Sequence, residues 1–232
     1  MMQCGLNHKV RLVIFDFDGT LGDTREKIVG VMQHVMKEEG LAVADAAACA
    51  STIGLPLKDC FRKIYSWMSD DDAEHCAETY RRYFFAHSHE LVPDLFPHVI
   101  ETLSELKKRG VRMAIASSRT SRSLRGFVHD MQLDDYIGLV VGCEDVASTK
   151  PAPDALNAIL EAEGVAPGEA LMVGDMPVDI LMGQASGVRT VGVTYGNSTR
   201  AALVAAGAFV IIDDISELLV LFEIKKSIVW HC

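Results

Sequence analysis

The chain has 232 residues, 49% of them hydrophobic and 23% charged, the balance of a soluble globular protein large enough for one sizeable core. Its 22 Lys+Arg against 32 Asp+Glu give a formal net charge of -10, which excludes the basic surface that non-specific nucleic-acid binding needs. Six cysteines without a C-x-x-C pair exclude a disulfide scaffold or a zinc-ligand spacing and read as small buried hydrophobes or free thiols of a reducing compartment. The N-terminal residues lack an apolar signal-peptide region, and no stretch reaches membrane-spanning length. The expectation is a cytoplasmic protein with neither membrane nor nucleic-acid partner.

In chain order, Leu12–Phe15 is an apolar run of the kind a strand buried on both faces carries, and it leads directly into Asp16-Phe17-Asp18-Gly19-Thr20-Leu21. Alternate residues of an extended chain face the same way, so Asp16 and Asp18 can address one centre. From Thr24 to about Glu90 the pattern is helical. Ile28, Val31, Met32, Val35 and Met36 recur at helical spacing with Gly40 as the stop. A second helix is expected over Leu57–Met68 and a third after Asp70, Asp71 and Asp72, which suit the positive end of a helix dipole. This stretch holds no convincing strand and reads as an insertion.

From Pro93 helix and strand alternate, the rhythm of a parallel sheet. Pro97 opens a helix with Val99, Ile100, Leu103 and Leu106 on one face. Val111–Ala116 is a strand ending in Ser117-Ser118-Arg119. A helix near Ser121–Met131 precedes a strand at Leu139–Val141, and Pro153–Glu163 is helical. Leu171–Val173 is a strand running into Gly174-Asp175, and Val178–Ala185 is a helix. Thr190–Val193 and Phe209–Ile212 are further strands, and the last helix starts near Ile215.

Four polar sites fall just past expected strands or near them: Asp16 with Asp18, Ser117, Lys150, and Asp175 with Asp179. Parallel strands bring their carboxyl ends to one edge, where ligands bind. Carboxylates without His or Cys suit a hard cation such as Mg²⁺, and such a cation with Lys and Ser suits phosphoryl transfer. An aspartate can also be the nucleophile of an aspartyl-phosphate mechanism.

On these four ordered motifs the sequence resembles the haloacid dehalogenase-like (HAD) superfamily, in its phosphatase branch. The resemblance implies a Rossmann-like parallel α/β core, residues 1–22 and 92–232, with a smaller inserted helical cap, residues 23–91. It implies that Asp16 is the nucleophile and a metal ligand. Asp18 is then the general acid/base and binds the metal through its carbonyl, Ser117 and Lys150 hold the phosphoryl oxygens, and Asp175 completes the ligation of Mg²⁺. Asp179, one helical turn later, is placed behind the metal ligands.

The stretch Thr52–Leu57, with Gly54 inside it, resembles the family's substrate-specificity loop. Gly54, Lys58, Arg62, Ser118 and Arg119 are therefore candidate substrate-facing residues. For Lys58 and Arg62 the alternative is a pair of solvated bases, and for Arg119 it is a surface salt bridge. Two positions depart from the common pattern: Met176 replaces a Ser or Thr after Gly-Asp, and Ser118 replaces an Asn. His87 and His89 read as exposed or capping rather than metal-binding. Trp67 and Trp230 read as core or interface residues. Ile224–Cys232 suggests no role.

The resulting expectation is a Mg²⁺-dependent phosphatase acting on a small phosphorylated metabolite, most similar to phosphoglycolate phosphatases, as monomer or homodimer. A pyrophosphatase or sugar-phosphate phosphatase of the same branch and a β-phosphoglucomutase-like phosphomutase are the alternatives. A non-catalytic binding protein on the same scaffold is a more distant one.

Overall fold

A computed structural model describes residues 10–222. Cys4, Trp230 and the Ile224–Cys232 segment lie outside the described residues. Strand β1 (Leu12–Phe15) is followed by a two-residue strand β2 (Gly22–Asp23) and four helices: α1 (Arg25–Glu38), α2 (Ala46–Ala50), α3 (Leu57–Ile64) and α4 (Asp70–Ala86). The chain returns through β3 (Asp94–Leu95). It then alternates through α5 (Val99–Lys108), β4 (Arg112–Ala116), α6 (Ser121–Asp130), β5 (Leu139–Val141), α7 (Asp154–Glu163), β6 (Ala170–Gly174), α8 (Pro177–Ala185), β7 (Arg189–Val193), α9 (Arg200–Ala205) and β8 (Val210–Ile212).

Six strands form one parallel sheet in the order β5-β4-β1-β6-β7-β8. From β1 the chain builds outward through β4 and β5, then crosses back to β6 on the other side of β1. This reversal of strand order opens a crevice at the carboxyl ends of β1, β4 and β6, where ligands of open α/β sheets bind. All four β1 residues are fully buried because both faces of the sheet are covered. Val13 and Phe15 pack into a core shared with α1, α4, α5 and α6, whereas Leu12 and Ile14 face a smaller core against α7 and α8. Alternating apolar direction along one extended strand therefore ties both layers to the same four residues.

The expected elements are present, with differences at their ends and on some faces. Antiparallel β2 and β3 pair Gly22 with Leu95 and Asp23 with Asp94, joining the entry and exit of the helical segment; two residues each are too few to leave a strand pattern. α2 is likewise too short for a periodic signal. α3 stops at Ile64 rather than Met68, because Tyr65 leaves the helical conformation at φ -115. The segment from Ile215 to Phe222 is a 3₁₀ helix rather than an α-helix.

Ile100 is exposed, unlike Val99, Leu103 and Leu106 on the buried face of α5. Of the two readings of Trp67, the core one is corrected: it lies beyond the end of α3, is 70% exposed, and packs from outside against Tyr65, a core residue. His87 caps α4 with Nδ1 2.9 Å from the Tyr83 carbonyl, and His89 is exposed. Cys49, Cys60 and Cys76 are buried free thiols, and burial raises the Cys60 thiol to about 11. Among the described residues no helix is long and apolar enough to cross a membrane.

Candidate active site

The ladder hydrogen bonds continue past the strand ends and fix the first polar residues there. The Asp16 amide donates to the Val173 carbonyl at 2.8 Å, and the Ser117 amide donates to Val141 at 3.1 Å. Asp16 is 3% exposed, Ser117 6%, Lys150 8%, and Asp175 and Asp179 are fully buried. Residues separated by as many as 163 positions in sequence thus meet at one sheet edge.

Lys150 Nζ joins the first motif to the last. It lies 2.8 Å from Asp16 Oδ1 and 2.6 Å from Asp179 Oδ1. The other oxygen of Asp179 accepts from the Met176 amide at 3.0 Å, a side-chain-to-backbone link across the first turn of α8. Both Asp179 oxygens are therefore engaged, and its observed work is to hold Lys150 and the Asp175–Met176 turn.

Asp175 is held from the opposite side. Its Oδ2 accepts from the Asn197 amide at 2.6 Å and from Asn197 Nδ2 at 3.0 Å, while Thr20 Oγ1 lies 3.5 Å from Oδ1. Tyr195 donates to the Thr20 carbonyl at 3.0 Å, closing this wall. Gly19, at φ 83, admits the close approach: a Cβ there would stand 2.3 Å from both Asp175 Oδ2 and Asn197 Nδ2.

Thr20, Tyr195 and Asn197 are absent from the sequence-derived candidates. Thr194–Asn197 follows directly on β7, so the rule that points to residues past parallel strand ends reaches them as well.

One carboxylate oxygen each from Asp16, Asp175 and Asp179 lies within 4.8 Å of the others. Burial raises Asp16 to about 7, against the pull of Lys150, with Asp179 and Asp18 pushing it further up. Burial likewise raises Asp175 well above the usual carboxylate range. Lys150 remains charged, since Asp16 and Asp179 outweigh its loss of solvent. Three buried acids face one buried ammonium, and Asp16 Oδ1 has no aligned hydrogen bond. Such an excess of oxygen donors and negative charge fits a hard divalent cation.

Asp18 stands apart from this cluster. Arg119 Nε reaches both of its oxygens, at 2.8 and 2.7 Å. The guanidinium lies 5.3 Å from the Phe84 ring of α4 and 5.0 Å from the Phe127 ring of α6, and Tyr80 of α4 packs beside it. The surface salt bridge that the sequence allowed for Arg119 is instead a buried pair with Asp18, at the edge of a cavity that Arg119 also lines. Lys58 and Arg62 both pair with Asp70, at 2.8 and 2.9 Å, and line the cavity described below.

Gly54 is where the two unusual positions meet. Ser118 Oγ donates to its carbonyl at 2.8 Å, and a Cβ on Gly54 would stand 3.2 Å from Met176 Cγ.

Residues 13–193 match the family of haloacid dehalogenase-like hydrolases. The chain is 33% identical over 229 residues to a Dickeya dadantii protein named as phosphatase IndB, covering 95% of this chain and 99% of that one. It is 33% identical over 220 residues to the pyrophosphatase PpaX of Bacillus cereus, covering 94% and 100%. Among solved structures, a haloacid dehalogenase-like hydrolase from Bacteroides fragilis superposes with a TM-score of 0.86 at 30% identity, over 90% of this chain and all of that one. A phosphoglycolate phosphatase structure from Haemophilus somnus superposes at 0.84 over 93% and 99%, with 22% identity, a likeness of fold alone.

Proposed function

The chain belongs to the haloacid dehalogenase-like hydrolases, and from that premise we propose that it is a Mg²⁺-dependent phosphatase working through an aspartyl-phosphate on Asp16. The observation that carries this reading is the buried cluster of Asp16, Asp175, Asp179 and Lys150 at one sheet edge. A hydrolase that only bound neutral ligands would have no use for so costly a set of buried charges.

Asp16 and Asp175 would hold the cation, together with the Asp18 carbonyl, and the bound ion would neutralise the phosphoryl oxygens and align the ester with Asp16. Asp16 attacks phosphorus and the ester oxygen leaves. Lys150 and Ser117 hold the phosphoryl oxygens, and Asp179 keeps Lys150 charged and in place. Asp18 gives its proton to the leaving oxygen and later removes one from the water that cleaves the aspartyl-phosphate. The Arg119-held carboxylate is the form needed for that second step. In the first step one oxygen carries the proton while the other keeps Arg119.

Residues 23–91 act as the cap, since Phe84, Tyr80 and Gly54 all reach residues of the site from that segment. The sequence resemblance to phosphoglycolate phosphatases and the pyrophosphatase relative leave the leaving group open, and the cavity beside Asp18 bears on it.

The test is phosphate release from a panel of phosphate esters with Mg²⁺ and with chelator. Metal-dependent release that Asp16→Asn abolishes is the expected result. Release that survives either treatment would sink the reading.

A further inference from the structure

From Asp18 a cavity of about 480 Å³ runs between the sheet edge and the helical segment. It begins at the residue that would protonate the leaving oxygen, so it is the place for the leaving group. That volume is in the range of pockets for drug-sized ligands. A glycolate or a second phosphate would fill little of it.

The charges that line it do not favour a second anion. Its cations are Lys58, Arg62, Arg81 and Arg119. Lys58 and Arg62 share Asp70, Arg81 reaches Glu74 at 2.8 Å, and Arg119 holds Asp18. The exposed pairs among these, those of Lys58, Arg62 and Arg81, are weak in themselves. Their effect is to set a carboxylate beside each cation. Asp18, Asp59, Glu74 and Glu144 also line the cavity, so four positive charges meet four negative ones, or three while Asp18 carries its proton. A leaving group bearing its own carboxylate or phosphate therefore meets at most one uncompensated positive charge there.

The uncharged part of the wall combines the hydroxyls of Thr52, Ser118, Thr120, Ser123 and Thr149 with an apolar portion that includes Ile53, Leu55 and Phe84. Phe85 also lines it and is 38% exposed, with its ring set edge-on to Phe84 at 5.6 Å. Arg122 lies over the Phe85 ring at 4.8 Å and does not line the cavity, so what the aromatic side chain offers there is the surface that Arg122 and Phe84 leave uncovered, on which a ring can pack.

We propose that the substrate is the phosphomonoester of an uncharged alcohol carrying an aromatic or heteroaromatic ring, with Phe85 and Leu55 packing that ring. The proposal rests on the phosphatase reading above and names its leaving group.

The test compares kcat/KM at one ionic strength for benzyl phosphate, adenosine 5′-monophosphate, glycerol phosphate, phosphoglycolate and pyrophosphate. The expected result is that a ring-bearing ester exceeds the other three by at least about tenfold. A fastest reaction with phosphoglycolate or pyrophosphate, or glycerol phosphate matching the ring-bearing esters, would overturn the proposal. Release from none of them would overturn the phosphatase reading and this one with it. Phe85→Ala adds a second readout, since an exposed side chain is not needed for folding. It should lower the preference for the ring-bearing ester over glycerol phosphate about fivefold or more, mainly through KM. An unchanged preference would remove Phe85 from the site.

Discussion

Arg119 Nε spans both oxygens of Asp18, and the guanidinium is held between a ring from α4 and a ring from α6. The Asp18 carboxylate, the acid/base of the proposed mechanism, is therefore aimed by a residue whose own position depends on the helical segment. Arg119→Ala should lower kcat by roughly a hundredfold, the scale of general acid–base catalysis, with a smaller change in KM. Arg119→Lys should recover only part of this, because an ammonium cannot reproduce the planar guanidinium between two rings. Steady-state kinetics with Mg²⁺ present decide it; a variant with wild-type kcat would leave Asp18 unaided.

Lys150 is the only cation within ion-pair distance of Asp16 and Asp179 among the described residues. Lys150→Met would leave three buried carboxylates without it. Removing one partner of a buried pair typically destabilises by about 3–5 kcal/mol, so chemical denaturation should show a loss of that order in chelator. Added Mg²⁺ should recover part of it. A variant as stable as wild type in chelator would show that the cluster is solvated.

The raised pKa of Asp16 carries a stability signature with a definite sign. Its folded value of about 7 exceeds the ordinary 3.8, so between those values the folded state binds more protons than the unfolded one. Stability from this group therefore falls as pH rises through that window. In chelator, the melting temperature should decline from pH 5 to pH 8. A divalent cation that binds the carboxylates should raise it, and more at pH 8 than at pH 5. An equal metal effect at both values would argue against carboxylate ligation.

Asp16→Asn removes a buried charge while preserving shape. Turnover should be lost, and in chelator at pH 8 the variant should melt no lower than wild type, because the desolvated carboxylate is gone. A marked drop in melting temperature would mean that the Asp16–Lys150 pair supports the fold.

Gly19→Ala tests the packing around Asp175. The new Cβ would stand 2.3 Å from Asp175 Oδ2, at a φ of 83 that L side chains rarely adopt. Metal affinity should fall by at least about tenfold, read by calorimetric titration with Mg²⁺. Unchanged affinity would remove Asp175 from the metal site.

Much of this protein follows from local rules. The two-sided burial of Leu12–Phe15, the alternation of helices and strands after Pro93, and the polar residues past the strand ends are all written in short-range apolar pattern, and the sheet brings those residues together. The partners of those residues are another matter. Nothing near Arg119 in sequence specifies Asp18, Phe84 and Phe127 as its neighbours, and nothing near Asp175 specifies Asn197. Such contacts exist only after distant elements have packed. The charge state of the cavity was equally out of reach. Lys58 and Arg62 read as free cations until α3 and α4 set Asp70 beside them, because a charge is compensated by whatever folding places within a few ångströms of it. The sheet and the carboxylates at its edge are legible in short-range pattern, whereas what each carboxylate touches is set by the packing of distant elements, because a side chain gains its partners only when those elements meet.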